Sequence, residues 1–503
     1  TNLRGLGAQR FLTLVNGRRA VPYALTNSGN RSVFDFNSLP AAAIESVELL
    51  KDGASAIYGS DAITGVLNIK LKKNFSGLST SLYYGNTQRD TGGDTGIRQL
   101  SLVAGVESGK TRILTAIDAK MANSNFIRDY GVKSTDYSGL GANKGLNQNS
   151  TSNWPANLTL TRTQAAAAGI AFPSVAASVN SWSFVVNGGK PTAAPTLGGF
   201  VAAPANPANA NAVLIGNENR YNFAETYQLY PAYDYVSNYT GIEHTFSDSL
   251  KGFFDVTFAK NSTYYAFTPG VITYSTEGLT LPATNPYNPF GDRFWSPTGA
   301  ANSDGTPRLT GTPSAVNVVN HRFWDFGSRI DTVTNSAYRG LLGLRGKFGA
   351  TWSWESAVMH AEGRANENEP IQRTSLTQAA ALLTDPARAL NAFGRSYAIQ
   401  GGALVDTGPF RNSPSVKQST YGVFERDGMT RLRSIDFNAS GEIWSLWGGN
   451  KISLALGGEV RRDRPQDGDA AADRGLEAQC GAGPPGDGLE LRAVVGQDVL
   501  VRR

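Results

Sequence analysis

The sequence predicts a mainly β protein, a small αβ unit followed by an incomplete antiparallel transmembrane β-barrel. Three observations carry this. About nine segments alternate strictly between apolar and polar residues. Short connections between them alternate with longer ones, as in membrane-spanning barrels with tight turns at one end and long loops at the other. The stretch Ile44 to Lys73 reads differently, as strand, tight turn, short helix, turn and strand.

In the amino-terminal unit, Ile44 to Leu50 is apolar and β-compatible, and Lys51-Asp52-Gly53 breaks it. Asp52 is placed to cap a short helix over Ala54 to Tyr58. Gly59 is placed to close that helix in a left-handed conformation. Ser60 to Gly65 turns again. Val66 to Lys73 then puts Leu67, Ile69 and Leu71 on one face and Asn68, Lys70 and Lys72 on the other. Glu45 and Glu48 project to opposite faces of their strand, which disqualifies them as a paired-carboxylate site.

These residues resemble the end of the plug domain of TonB-dependent outer-membrane receptors. The resemblance lies in Ile44, Glu45, Val47, Glu48 and Leu50, then Gly53, Ser55, Ala56, Tyr58 and Gly59, then Gly65, Val66, Asn68 and Ile69. Upstream, Leu3-Arg4-Gly5 and Leu14-Val15-Asn16-Gly17-Arg18-Arg19 resemble earlier plug strands of that family, in the same order. Lys51-Asp52-Gly53 replaces the Arg-Gly-Pro of many members and resembles a branch with large barrels and carbohydrate or other non-siderophore substrates. The resemblance implies a plug, a barrel of roughly 22 strands, and import of a scarce solute powered by the inner-membrane TonB complex. It also implies a signal sequence, a TonB box and the first part of the plug ahead of Thr1, so the chain reads as part of such a receptor. The partners it implies are the TonB complex, outer-membrane lipid, and a small-molecule or oligosaccharide ligand. The implied divisions are residues 1–74 for the carboxy-terminal part of the plug, 75–462 for the amino-terminal part of the barrel with long extracellular loops, and 463–503 for an atypical tail. The polar loop between Arg19 and Asn37 corresponds to the plug apex, where Tyr23, Asn27, Asn30 and Arg31 are the expected ligand contacts.

Composition agrees with a barrel. Only 17% of the 503 residues are charged, against about 25% in ordinary globular domains. The net charge of +5 does not mark a nucleic-acid binder, because Lys and Arg are scattered among acids and form no stripe. The single cysteine, Cys480, excludes an internal disulfide framework or a cysteine zinc site. His244, His321 and His360 lie far apart with no metal-ligand spacing. No Walker loop, H-E-x-x-H or G-x-S-x-G is present, so neither an enzyme nor a cofactor is expected.

The barrel segments follow in order. Leu78, Leu82 and Tyr84 oppose Ser79 and Ser81, and Leu100, Leu102 and Val106 oppose Gln99 and Ser101. Ile113 and Ile117 oppose Arg112, Asp118 and Lys120. Tyr235 to Phe246 has a weaker pattern. Phe254, Val256 and Phe258 oppose Asp255 and Thr257, and Tyr338, Leu342 and Leu344 oppose Arg339, Arg345 and Lys347. Trp352, Trp354 and Val358 oppose Ser353 and Glu355. Ile435, Phe437 and Ile443 oppose Asp436, Asn438 and Glu442, and Leu454, Leu456 and Val460 oppose Glu459 and Arg461. Charges facing lipid are costly, so Arg112, Arg339, Arg345, Glu355 and Glu442 are expected inside, in a solvated lumen. Aromatics near strand ends, among them Phe348, Trp352, Trp354 and Trp444, suit interfacial girdles. Long loops are expected over roughly 122–234, 263–330 and 364–429, with a short helix within Leu376 to Phe393.

From Asp463 to Arg503 the chain has no aromatic, Ser, Thr, Asn, Lys, Ile or Met. So abrupt a shift reads as translation in the wrong frame of a GC-rich gene, with a disordered tail as the alternative. A passive porin or surface adhesin is the second functional reading. It accounts for the strands and loops but leaves Ile44 to Lys73 unexplained.

Overall fold

The computed structural model describes residues 11–25, 33–51, 62–86, 95–135, 137, 148–153, 157–167, 172, 174–186, 200–202, 205–206, 209–213, 220–272, 278–319, 321–445 and 451–469. Arg4, Gly5, Asn27, Asn30, Arg31, Gly53, Tyr58 and Gly59, with the helix expected over Ala54 to Tyr58, lie outside them.

The amino-terminal unit is a small sheet of β1 (Phe11–Val15), β2 (Arg18–Arg19), β3 (Ile44–Leu50) and β4 (Gly65–Leu71), in the order β2-β1-β4-β3. β1 runs parallel to β4, and β3 antiparallel to it. β4 is covered on both sides: Ile69 and Leu71 are buried on one face and Val66 on the other, against Leu12 and Leu14.

After a linker, nine strands form one antiparallel meander. They are β5 (Gly77–Gly85), β6 (Ile97–Ser108), β7 (Thr111–Ala122), β8 (Ala232–Ser247), β9 (Leu250–Phe267), β10 (Arg329–Phe348), β11 (Trp352–Gln372), β12 (Tyr421–Ser445) and β13 (Lys451–Asp469). Each pairs with its sequence neighbours, and β5 and β13 have no second partner in this sheet among the described residues. The strands agree with the alternation, but several run much further than it reaches. β11 continues to Gln372, and β12 begins at Tyr421. β13 continues through Asp469, past the compositional change at Asp463.

The two faces differ. The outer face exposes Leu82, Ile113, Phe258, Leu342, Val358, Ile435 and Phe437. The inner face packs on the amino-terminal unit. Val103, Leu114, Ala116 and Tyr239 meet Val15, Leu39, Ala43, Ile69 and Leu71. Leu341, Ala357, Met359, Ala361 and Leu432 meet Val21. The expectation of a polar, solvated inner face is therefore corrected where the wall touches the inserted unit. There it is apolar and rich in alanine, because small side chains let the two backbones approach.

The long loops pack together. Leu158 and Leu160 from the first, Leu279, Leu281, Phe290, Trp295, Val316 and Phe323 from the second, and Leu390, Phe393 and Val416 from the third share one hydrophobic core. Short helices α1 (Arg162–Ala167), α2 (Thr374–Ala381) and α3 (Pro414–Thr420) lie in this cap. Buried asparagines splint it. Asn285 Nδ2 donates to the carbonyls of Ala381 (2.8 Å) and Leu390 (3.2 Å). Asn412 Nδ2 donates to the Asn391 carbonyl and to Asp325 Oδ2, both at 2.8 Å.

Candidate functional site

The site is the inserted unit and the wall that holds it. β1 and β2 are joined by Asn16 and Gly17, with φ of 51° and 81°. Such a two-residue turn needs positive φ at both positions, which Asn-Gly supplies at least steric cost. Two asparagines then fasten the turn to β4. Gly17 N–H donates to Asn68 Oδ1, and Leu71 N–H donates to Asn16 Oδ1, each at 2.9 Å. Asn68 Nδ2 also donates to Glu48 Oε2 at 3.2 Å, and Lys70 Nζ donates to Glu48 Oε1 at 2.5 Å. The Lys70 bond, aided by Asn68, holds the Glu48 carboxyl below its usual range. Glu45 is exposed at a bulge between β3 and β4, and Gly65 opens β4. Among the described motif residues, Asn16, Gly17, Glu48 and Asn68 thus act together as a structural splint.

That splint aims Arg18 at the wall. Its Nε donates to Asp436 Oδ2, and its Nη2 donates to Asp436 Oδ1 and Glu355 Oε1, all at 2.8 Å. The Arg18 and Asp436 side chains are each 11% exposed. Burial opposes the Arg18 charge, but bonding to Asp436 and Glu355 outweighs it and the net shift is upward. The network continues through Arg345, which pairs with Glu243 and lies 3.9 Å from Glu355, and through Lys251, 3.2 Å from Glu243. Arg18 and Arg345 both lie over the Phe253 ring, at 5.7 and 5.5 Å. Glu355 and Arg345 were expected in solvent; they are engaged because Arg18 reaches them. Arg112 bonds to Glu107 and to Asn74 in the linker. A cavity of about 870 Å³ opens on the short-turn side of the hairpin, lined by Gly17, Arg18, Arg19, Glu355, Asp436 and Arg461 among others.

At the opposite end, toward the cap, Tyr23 is half-buried beside Ala24, Leu25 and Ala365. Its N–H donates to the Val33 carbonyl at 2.8 Å. Burial, with Asp35 and Glu367 nearby, pushes its phenol up to about 12. Sequence reading missed the anchors here. Asp35 Oδ2 accepts from Asn261 (3.1 Å) and Asn335 (2.6 Å), and Thr430 Oγ1 donates to the Pro22 carbonyl at 2.7 Å. Gly428 is required at this contact, since a Cβ there would lie 2.3 Å from the Ala24 carbonyl oxygen. The only advance signal for Asp35 was an acid two residues before Asn37 in a turn-forming stretch.

An open sheet of barrel-type strands whose inner face is stoppered by a small mixed sheet, tied to it by ion pairs, defines the class: a plug seated against a barrel wall. Residues 1–66 match the TonB-dependent Receptor Plug Domain, so the small amino-terminal sheet is a plug domain of that kind, and nine barrel-type strands follow it. The chain is 39% identical over 67 residues to the Vitamin B12 transporter BtuB of Photobacterium profundum, covering 13% of this chain and 10% of that protein. It is 44% identical over 78 residues to the Probable TonB-dependent siderophore receptor PirA of Acinetobacter baumannii, covering 14% of this chain and 10% of that protein. A mutant ferric enterobactin receptor of Pseudomonas aeruginosa aligns in structure over 93% of this chain and 43% of its own length, with 14% identity and a TM-score of 0.39.

Proposed function

We propose that this chain belongs to an outer-membrane receptor that binds a scarce solute and imports it actively, with energy from the inner-membrane TonB complex. The solute is an iron chelate, cobalamin, an oligosaccharide or a similar compound. Residues 1–74 belong to the plug and 75–462 to barrel strands and extracellular loops, and the atypical composition of 463–503 begins inside the last strand, β13. Tyr23, Asn27, Asn30 and Arg31 meet the ligand at the plug apex. The TonB complex acts through a segment ahead of the plug.

The observation that carries this reading is the way Arg18 is held by Glu355 and Asp436. A stopper tied by ion pairs can be released by force and can reseat, whereas a passive pore has no use for it. The names of the matched relatives, a vitamin B12 transporter and a siderophore receptor, favour solute uptake over adhesion. In cells carrying the intact receptor, uptake should stop when TonB is deleted or the inner membrane is uncoupled. Undiminished uptake after both treatments would establish the porin reading instead.

A further inference from the structure

The Asn16-Gly17 turn carries a reaction that its residue types invite and its surroundings hold back. An asparagine followed by glycine cyclises readily, because glycine has no side chain to obstruct the approach of its own nitrogen. Gly17 N attacks Asn16 Cγ and gives up its proton to solvent base. The Cγ–Nδ2 bond breaks and ammonia leaves. Water then opens the resulting five-membered imide at either carbonyl. One product is aspartate. The other is isoaspartate, in which the main chain runs through the former side chain and is longer by one carbon.

In the structure both reacting groups are occupied. Asn16 Oδ1 accepts from Leu71 N–H, and Gly17 N–H donates to Asn68 Oδ1, each at 2.9 Å. The ring closes only if both bonds break, since the Gly17 nitrogen must turn from Asn68 to Asn16 Cγ and the carboxamide must leave Leu71. The turn cannot do this alone. Val15 pairs with Arg18 across it, β1 pairs with β4 from Phe11 to Val15, and Arg18 is held by Asp436 and Glu355. Water is not what is lacking, because Gly17 is exposed and lines the cavity of about 870 Å³. The contacts that seat the plug are therefore the ones that block the ring.

The products fit the seat poorly. Asn16 Nδ2 is buried, and Asn16 lines a small cavity with Asp255, Lys73 and Tyr239. Aspartate at this position adds a carboxylate beside Asp255, which Lys73 can offset. Isoaspartate is the more disruptive, because the extra main-chain carbon falls between the groups bonded to Leu71 and Asn68 and shifts Arg18.

We propose that Asn16 is a deamidation site gated by the seating of the plug. It is silent while the hairpin is held on β4 and the wall, and reactive whenever the hairpin lifts off. Once isoaspartate has formed, the plug no longer reseats fully. The modification thus records, in one direction only, the time the plug spends displaced. This holds whatever displaces the plug, so failure of the import reading leaves it standing.

The test follows the Asn16 amide by peptide mapping at mildly alkaline pH, in the full chain refolded in a neutral maltoside detergent and in the same chain unfolded in urea. Isoaspartate is counted separately with an isoaspartyl methyltransferase. Loss of the amide should be at least about tenfold slower in the refolded chain, the ratio being set by how rarely the hairpin opens. Across a urea series it should accelerate in step with protease cleavage of the plug. Asn68→Ala frees Gly17 N–H, and Asp436→Asn loosens Arg18. Each should speed the loss by about threefold or more; the urea series reads the same gate in the unaltered chain. For the consequence, Asn187, the other asparagine followed by glycine, is replaced by serine. That chain, aged in urea and refolded, should show a plug more open to protease than the fresh chain. Equal rates in the refolded and unfolded chains, a rate indifferent to urea and to Asp436→Asn, or an aged plug as resistant as the fresh one would overturn the proposal. So would an Asn16 that keeps its amide in the unfolded chain while Asn187 loses its own.

Discussion

Arg18 joins two parts of the chain that the sequence keeps far apart: its partner Asp436 lies 418 residues away. The residue types were legible, since Arg18 follows the Asn16-Gly17 turn and Asp436 falls on the polar side of its strand. The pairing was not, because nothing in one sequence ties a turn to a strand at that distance. Truncating one member of such a buried, hydrogen-bonded pair costs roughly 2–5 kcal/mol. Arg18→Ala should therefore lower the denaturation midpoint of the detergent-held chain and expose the plug to protease. Arg18→Lys should restore only part of this, because an ammonium lacks the fork that spans both Asp436 oxygens. An Arg18→Ala protein with the same midpoint and digestion pattern would show that the apolar contacts alone hold the plug. A second residue carries a pH signature. Asp325 lies in the cap, where burial raises its carboxyl above the usual range and bonds from Asn412 offset only part of the rise. An acid raised on folding contributes stability that is complete below its unfolded value, about 4, and is lost as pH climbs through the folded one. The cap should melt earlier at neutral than at acid pH, and Asp325→Asn should flatten the difference. Near-UV circular dichroism of the aromatic-rich cap reads this directly, and an identical slope in the variant would refute the assignment.

At the level of elements, the Asn16-Gly17 turn depends on its residue types. With Gly17 at a φ of 81°, Gly17→Val forces a β-branched side chain into the left-handed region, at about 1–3 kcal/mol. It also disturbs the N–H bonded to Asn68. The expected outcome is a plug that melts earlier and an Arg18 that no longer reaches the wall, measured as loss of coupling in a double-mutant cycle with Asp436→Asn. Undiminished coupling would show that the turn does not position Arg18. The strands were legible wherever one face is apolar, as in Ile435 and Phe437 against Asp436. They were illegible over His360 to Gln372 and Tyr421 to Ser434, where the inward residues are small or polar, as Ala361, Gly363, Ala365 and Glu367 are, and the apolar contrast fades. The cap was illegible for another reason. Its strands are short, and their apolar residues are matched by residues of other loops, as Leu158 is by Val318.

For the whole molecule, the open sheet decides behaviour. Among the described residues β5 and β13 each leave one edge unpaired in that sheet, and in hydrocarbon each unsatisfied backbone group costs several kcal/mol. In water the same edges, beside an outer face of Leu, Ile and Phe, template aggregation. Expressed behind a signal peptide, these 503 residues should be recovered as aggregate or degraded, without a heat-modifiable, protease-resistant band in the outer-membrane fraction. Finding that band, together with ligand uptake, would show that the edges are closed in the cell.

The cap core draws on three loops separated by pairs of barrel strands. Its packing is therefore almost wholly non-local, and non-local contacts form late because chain closure must come first. The strand of Leu158 and Leu160 pairs nearby with Ser181–Val186, but it gains its second neighbour only when the strand at Val316–Val319 exists, and it has no finished core until Val416 arrives. During synthesis and export, the first loop must wait, with its apolar residues uncovered, while four further barrel strands are laid down. Maturation of this surface is thus tied to completion of the wall beneath it. A chaperone able to shield exposed apolar loops would act in that interval, before the last loop closes the core.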